Sequence, residues 1–170
     1  MNNNRFRWLA ILVLAQALVL LGLAGSSYAA VRFGKEIRLQ TVPVDPRDIL
    51  YGDYVTLSYE ISRLSPSIWR GASLPKEGDP IYVAVAPKGD VYEAIAAYPN
   101  RVAPPPEGAL LKGLVELQWD KDIVVRYGLE RYYVPEGTGL ALEREAGTLI
   151  VVAKVAPWGR ATLTDVLTKK

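Results

Sequence analysis

The sequence has no cysteine and no histidine among its 170 residues. The absence of cysteine excludes disulfides, thiolate nucleophiles and cysteine-linked lipid anchors, and the absence of both residues excludes zinc sites built from Cys and His. Without histidine, no acid–base scheme that depends on an imidazole is available. We therefore expect a protein that is not an enzyme and that holds no cofactor.

Charged side chains are scarce in the first thirty residues and balanced after them. Arg5 and Arg7 are two of the 20 basic residues, which leaves 18 basic groups to match the 18 acidic ones in the rest of the chain. A region that is neutral overall lacks the concentrated basic surface by which proteins bind nucleic acid. We therefore expect no nucleic-acid partner.

One long hydrophobic run occupies the N-terminal part of the sequence. Between Trp8 and Tyr28, Gln16 is the only strongly polar side chain, and as a helix the run spans about 31 Å, close to the thickness of a hydrocarbon core. Aromatic rings prefer the headgroup level at the two ends of such a span, and the arginines at positions 5 and 7 favour a cytoplasmic N-terminus. The sequence predicts a transmembrane helix over residues 8–28, with the lipid bilayer as its partner.

This helix divides the chain into three parts. Residues 1–7 are a cytoplasmic tail and residues 31–170 an extracytoplasmic domain. The competing interpretation is a cleaved signal peptide, since Ser27-Tyr28-Ala29 has the spacing of small residues that a signal peptidase accepts. Signal peptides usually have a hydrophobic run of only about 7–15 residues, which favours a retained anchor. Both interpretations place the domain outside the cytoplasm.

The region after residue 35 has the pattern of an all-β domain. Short β-branched and aromatic runs are separated by Pro, Gly, Asn and Asp, and short turns between neighbouring runs predict an antiparallel, barrel- or sandwich-like fold. Alternation puts Val55, Leu57, Tyr59 and Ile61 on one face of a strand, which predicts that they fill the core. The predicted strands are 36–42, 53–62, 80–86, 91–98, 109–119, 122–127, 129–134, 148–156 and 160–167.

Three connections between the strands stand out. The segment 138–146 predicts a short helix, since it begins with a threonine that can cap it and is followed by a glycine that can stop it. Two longer segments, 63–79 and 99–108, predict loops, and the first contains Trp69 and Arg70. Loops carry function more often than strands do, although the simpler interpretation is that Trp69 covers the core.

Residues 52–59 read Gly-Asp-Tyr-Val-Thr-Leu-Ser-Tyr and fit the pattern Gly-Asp-Tyr-x-x-Leu-x-Tyr. The chain resembles the GDYXXLXY family of bacterial membrane-anchored proteins, and the hydrophobic N-terminal segment agrees with that resemblance. The resemblance implies a mostly β domain outside the bacterial cytoplasmic membrane. Members tend to be encoded near polytopic membrane proteins, which implies an accessory subunit of a membrane assembly. The family-motif residues are Gly52, Asp53, Tyr54, Leu57 and Tyr59.

The residues around this motif have two interpretations. In the structural one, a capped turn over residues 46–51 ends at Gly52, and the following strand buries Leu57 and Tyr59. In the functional one, polar and aromatic side chains close to the membrane form a docking surface together with the loop at 63–79. A metal site is a weaker alternative, because carboxylates bind hard cations but no calcium-loop spacing is present. The candidate interaction residues are Asp45, Arg47, Asp48, Tyr54, Trp69 and Arg70.

The same region has a weaker resemblance to type I signal peptidases, which are also N-terminally anchored β proteins. Pro46, Gly52 and Asp53 are similar to the end of their Ser-Met-x-Pro-x-Leu-x-x-Gly-Asp stretch, but the nucleophilic serine is replaced by Pro43 or Val44, depending on the alignment. The resemblance implies a common fold in a catalytically inactive relative. The general-base lysine has no identifiable counterpart, although Lys112 and Lys121 lie on or beside later strands. A serine–lysine hydrolase that uses different residues, such as one of Ser58, Ser62, Ser65 or Ser67, is a further alternative.

Taken together, these patterns predict a single-pass membrane protein whose outer domain binds another membrane protein and does not catalyse a reaction. Two alternatives stay open. One is a hydrolase or a degenerate, signal-peptidase-like protein. The other is a β-barrel for a small ligand or lipid, which requires a closed sheet with an unfilled apolar interior.

Overall fold

The chain begins with a long apolar helix. The computed structural model describes residues 3–43, 54–119, 122–133 and 149–168. Helix α1 comprises Asn3–Phe33. Its stretch Arg7–Gly25 is long and apolar enough to cross a membrane, and none of that stretch is buried inside the protein. By length and composition this agrees with the transmembrane helix predicted over residues 8–28. The tripeptide Ser27-Tyr28-Ala29 lies within α1.

Eleven strands follow the helix in the described parts of the chain. Two short 3₁₀ turns, Glu60–Ser62 and Pro66–Ile68, lie among them. The strands are β1 (Lys35–Val42), β2 (Tyr54–Thr56), β3 (Ser58–Tyr59), β4 (Arg63–Leu64), β5 (Pro80–Lys88), β6 (Val91–Tyr98), β7 (Ala109–Trp119), β8 (Asp122–Arg126), β9 (Arg131–Tyr133), β10 (Leu149–Val155) and β11 (Ala161–Thr168).

The described strands form three sheets, and all their pairings are antiparallel. One sheet has the order β11-β10-β1-β3, a second has the order β4-β8-β7-β5-β6, and β2 pairs with β9 alone. The β5–β6 and β10–β11 hairpins turn at Gly89 and Gly159, whose φ angles of 61° and 94° are in the left-handed region that glycine adopts without strain. The described sheets do not close into a barrel.

One hydrophobic core joins the two larger sheets. Alternate residues of β1 and β8 point inward, as expected for strands with one buried face. Ile37 and Leu39 of β1 are in the same buried cluster as Ile81 of β5 and Leu111 and Val115 of β7. All five are at most 2% exposed. The predicted antiparallel β architecture is confirmed, and its interior is filled by side chains.

Most predicted strands match the observed ones to within two residues, but two predictions are wrong. The strand predicted over 53–62 is divided into β2, β3 and a 3₁₀ turn, because its parts pair with different neighbours. The loop predicted over 63–79 begins with β4, which pairs with β8. The helix predicted over 138–146 and the turn predicted over 46–51 lie outside the described residues.

Candidate functional site

The described part of the Gly-Asp-Tyr motif and the residues after it pair in succession with strands of all three sheets. Val55 of β2 lies opposite Tyr132 of β9. Tyr59 of β3 lies opposite Thr41, near the end of β1. After the 3₁₀ turn, β4 pairs with β8 in the five-stranded sheet. Residues 54–64 therefore connect the three sheets to one another.

Leu57 and Tyr59, the last two fixed residues of the motif, are both buried, at 2% and 1% exposure. The Leu57 amide donates to the carbonyl of Glu130 over 2.8 Å. The Tyr59 hydroxyl donates to the carbonyl of Leu129 over 2.7 Å. A buried hydroxyl and a buried carbonyl each need a hydrogen-bond partner. This bond explains why a tyrosine, and not a phenylalanine, occupies the position.

A second tyrosine makes the reverse connection between the same two segments. The Tyr127 hydroxyl donates to the carbonyl of Ile61 over 2.7 Å, and the Tyr127 amide donates to Glu130 Oε1 over 2.6 Å. Sequence reasoning missed both Tyr127 and Glu130, because the residues that they bind in the motif segment, Ile61 and Leu57, lie far away along the chain. The one available signal was the alternation of Ile123, Val125 and Tyr127, which marks Tyr127 as an inward-facing residue.

Both buried tyrosines are held in the protonated form. Burial raises the pKa of Tyr59 and the pKa of Tyr127 above the usual range, and the negative charge of Glu130 raises both further. A phenol donates a hydrogen bond only while it is protonated. The geometry therefore gives Leu57 and Tyr59 a framework role, as the structural interpretation of the motif predicted.

The start of the motif lies largely outside the described residues. Tyr54 pairs through its backbone with Tyr133. Val42 pairs with Ser58 at the end of β1 that is farthest from α1, about 23 Å from Lys35 at the usual rise per strand residue. The chain thus leaves β1 at the end far from α1. The predicted residues outside the described ranges are Asp45, Arg47, Asp48, Gly52 and Asp53.

The loop that contains Trp69 is fixed to the edge strand β6. The Arg70 amide donates to the carbonyl of Ala97 over 2.8 Å. The Trp69 indole Nε1 donates to the carbonyl of Ser73 over 2.7 Å, and the ring lies against Gly71, where an added Cβ would collide with it. Trp69 also packs, half-buried, against the main core. The covering role considered for Trp69 therefore agrees with its contacts.

An open groove lies beside Trp69. Its volume is about 200 Å³, and it is lined by residues 71–75 together with Asp79, Pro80 and Pro99. Leu74 is 52% exposed at this groove. Arg70 is exposed on the same loop, with a long bond of 3.4 Å from its Nη1 to the carbonyl of Ser67. The loop thus presents the apolar side chain of Leu74 and the cation of Arg70 on a defined backbone.

The candidate serines do not form a serine–lysine pair within the described residues. The hydroxyls of Ser65 and Ser67 bond to each other over 2.9 Å. The Ser62 hydroxyl is buried and has no protein partner there, and no described serine is hydrogen-bonded to a lysine. Lys112 is exposed, and Lys121 lies outside the described ranges. The described residues also contain no group of three or more Asp or Glu that could hold a metal.

Fold and site together define a class of protein: a mainly antiparallel β domain attached to an N-terminal helix that is apolar enough to cross a membrane. A family model described as GDYXXLXY protein matches residues 16–166 of the chain. Because the match covers most of the chain, the protein belongs to the GDYXXLXY family, as its motif predicted. Comparisons with curated proteins and with solved structures found no match.

Proposed function

We propose that this chain is a single-pass protein of the bacterial cytoplasmic membrane, with its N-terminus in the cytoplasm and its β domain outside. The apolar stretch of α1 supports the anchor. Side chains such as Leu12 and Leu21 are 54% and 68% exposed. A run of this length and apolar character matches the hydrocarbon core of a bilayer, which would bury these side chains. Arg5 and Arg7 support the orientation, since a short basic tail before a span favours the cytoplasmic side, whereas a long domain after the span is translocated largely regardless of its charge.

The domain acts, in this proposal, as an accessory subunit that binds another membrane protein without catalysing a reaction. The observation that supports this role is the fixed conformation of the loop that contains Trp69. Its backbone is held to Ala97 and its indole to Ser73, so Arg70 and Leu74 are presented on a loop of defined conformation. Exposed side chains on a fixed scaffold are the usual basis of recognition, because little ordering entropy is lost on binding.

The groove favours a protein partner over a small ligand. Ligand pockets usually have volumes of about 300–1,000 Å³ and enclose most of the ligand. The groove beside Trp69 is smaller, at about 200 Å³, and open. It suits one inserted side chain of a partner, and Arg70, exposed next to Trp69 in the chain, is available for an acidic group of that partner. The ligand-binding barrel lacks its structural requirement, since the described sheets are not closed.

Site-specific photocrosslinking tests this proposal. A crosslinking residue replaces Leu74 in the full-length chain, in the membrane of the bacterium that carries it. A matched variant carries the same residue at Leu167, which has similar exposure, 40% against 52%, but lies on β11. We expect an adduct with a membrane protein from position 74 and none from position 167, and a weaker adduct when Arg70→Glu is added. Recovery of the protein alone in mild detergent, with no adduct from position 74, would contradict the proposal.

A further inference from the structure

The end of α1 lies beside the turn that joins β10 to β11. Helix α1 ends at Phe33, and β1 begins two residues later at Lys35, which pairs with Val155 at the end of β10. Val155 in turn pairs with Ala161 at the start of β11. The turn over residues 156–160 therefore projects from the end of the sheet that α1 enters, and α1 contacts both strands of this hairpin.

Three hydrogen bonds hold the turn in place, one within it and two from other parts of the domain. The Gly159 amide donates to the carbonyl of Ala156 over 2.8 Å, which closes the turn. The Lys112 amide of β7 donates to the carbonyl of Gly159 over 2.8 Å. The Arg101 guanidinium, through Nη2, donates to the carbonyl of Pro157 over 2.8 Å. These bonds fix the turn against the five-stranded sheet, so the side chains that it exposes have a defined position next to α1.

Aromatic and cationic side chains are exposed at this place, together with Glu36 and Pro157. Trp158 is 41% exposed and Phe33 is 73% exposed, and the Arg32 guanidinium lies 5.8 Å from the centre of the Phe33 ring. Glu36 is the acidic residue of β1 nearest to them in sequence, and it lies opposite Lys154 in the sheet. We call this set the helix-end edge; it consists of Arg32, Phe33, Lys35, Arg101, Trp158 and Arg160.

We propose that the helix-end edge contacts the anionic lipid headgroups of the membrane that α1 crosses, and so seats the β domain on the bilayer. This inference rests on the proposed membrane anchor. Tryptophan and phenylalanine with nearby cations match the headgroup level of a membrane, and basic side chains at its surface are attracted by anionic lipids within a Debye length. None of the four cations of the edge is ion-paired with an acidic side chain of the described residues.

The position of the helix-end edge indicates that its binding partner is lipid. The edge is continuous with the end of the apolar helix: Arg32 and Phe33 are the last residues of α1, and Lys35 begins β1. A helix that spans the bilayer brings its own end, and any surface beside it, to the headgroup level. The Trp69 groove, by contrast, belongs to a different loop, fixed to β6, and stays available for a protein partner.

The absence of cysteine makes a direct test possible, because one introduced cysteine is the only thiol in the chain. Trp158→Cys and, as the matched control, Leu167→Cys each carry the same fluorophore. The two positions have nearly equal exposure, 41% and 40%, and lie on one hairpin. Along β11, Leu167 is about 20 Å beyond Ala161. The full-length variants are reconstituted in vesicles of phosphatidylcholine and phosphatidylglycerol, and flotation verifies that the chain is inserted.

We expect acrylamide in the aqueous phase to quench the label at position 158 severalfold less than the label at position 167, and brominated lipid to quench it severalfold more. The difference shrinks in vesicles of phosphatidylcholine alone. Equal quenching at the two positions, whether both labels are shielded from water or both are exposed to it, would refute the contact between the helix-end edge and the headgroups. It would leave the proposed membrane anchor unaffected. Chains that do not float with the vesicles would overturn the anchor itself and this inference with it.

A charge variant tests the electrostatic part separately. In the Trp158→Cys background, Arg160→Glu removes an exposed cation of the edge without removing a hydrogen bond to its side chain, and Lys76→Glu makes the same charge change in the loop after Trp69. We expect Arg160→Glu to bring acrylamide quenching at position 158 closer to the value at position 167, and Lys76→Glu to leave it unchanged. The same response to both variants would refute a local attraction to headgroups.

Discussion

The buried hydroxyl of Tyr59 gives the sharpest test of the framework role of the motif. Replacing Tyr59 with phenylalanine keeps the ring and its packing, so no large cavity forms, but it removes the donor to the Leu129 carbonyl at 2.7 Å. Leu129 is only 2% exposed, so water does not readily replace the lost donor. Leaving a buried carbonyl without a partner costs about 1–3 kcal/mol. We expect the free energy of unfolding to fall by this amount.

Urea unfolding of the full-length chain in detergent micelles measures this loss, with the β-sheet circular dichroism signal reporting on the domain. For a slope of about 2 kcal/mol per molar urea, the midpoint of Tyr59→Phe falls by about 0.5–1.5 M. Tyr82→Phe is the control, since Tyr82 is a partly buried tyrosine of β5 whose hydroxyl has no protein partner among the described residues. We expect that variant to change stability by less than about 0.5 kcal/mol.

Tyr127→Phe removes the reverse bond, to the Ile61 carbonyl, and completes a double-mutant cycle. Because both hydroxyls join the segment after Leu57 to the segment after Tyr127, we expect a coupling of about 0.5–3 kcal/mol between the two substitutions. A midpoint for Tyr59→Phe no lower than that for the Tyr82 control would refute the reasoning, since the Leu129 bond would then contribute nothing to stability.

The same segment and the Trp69 loop give three further expectations. Leu57→Ala deletes a side chain that is 2% exposed and should cost about 2–5 kcal/mol in urea unfolding; a cost below about 1 kcal/mol would contradict its place in the core. Burial raises the pKa of Tyr59 and the pKa of Tyr127 in the folded protein, so the unfolded chain loses these protons first. The stability that the two protonated tyrosines contribute is fully present below about pH 10 and is lost as the pH rises above that value. Urea midpoints measured at increasing pH should therefore decline less steeply in Tyr127→Phe than in the unaltered chain. Gly71→Ala places a methyl group against the Trp69 ring, so we expect altered tryptophan fluorescence and a weaker adduct from position 74 in the crosslinking assay. An unchanged adduct would show that binding of the partner does not depend on the position of the ring.

Local patterns predicted the strands well where each strand keeps the same neighbours throughout. The strands predicted over 91–98 and 109–119 have the observed bounds of β6 and β7. Alternation also placed Leu57, Tyr59 and Ile61 in the core, where all three are at most 3% exposed. These features depend on the identity of each residue and on the period of two along a strand, both of which are visible in a single sequence.

The features that sequence reasoning missed all depend on contacts between distant residues. Alternation continues through residues 54–59 even though the pairing partner changes from β9 to β1, so it cannot reveal the break at Leu57. The bond from Tyr59 to Leu129 joins residues 70 positions apart. The place of Trp158 beside α1 follows from the register of Lys35 with Val155. Register and long-range hydrogen bonds are set by tertiary packing, not by local propensity.

The passage of residues 54–64 through three sheets bears on how variants of the motif are to be interpreted in living cells. A segment shared by every sheet cannot be weakened in one of them alone, so damage to it lowers the stability of the whole domain. A loss of about 1–2 kcal/mol is enough to change the cellular amount of a protein several-fold through proteolysis. A phenotype of a Leu57 or Tyr59 variant is therefore explained first by a lower cellular amount of the protein, and not by a defect in binding. Genetic dissection of binding is better directed at Arg70 and Leu74, where the backbone is held by other residues.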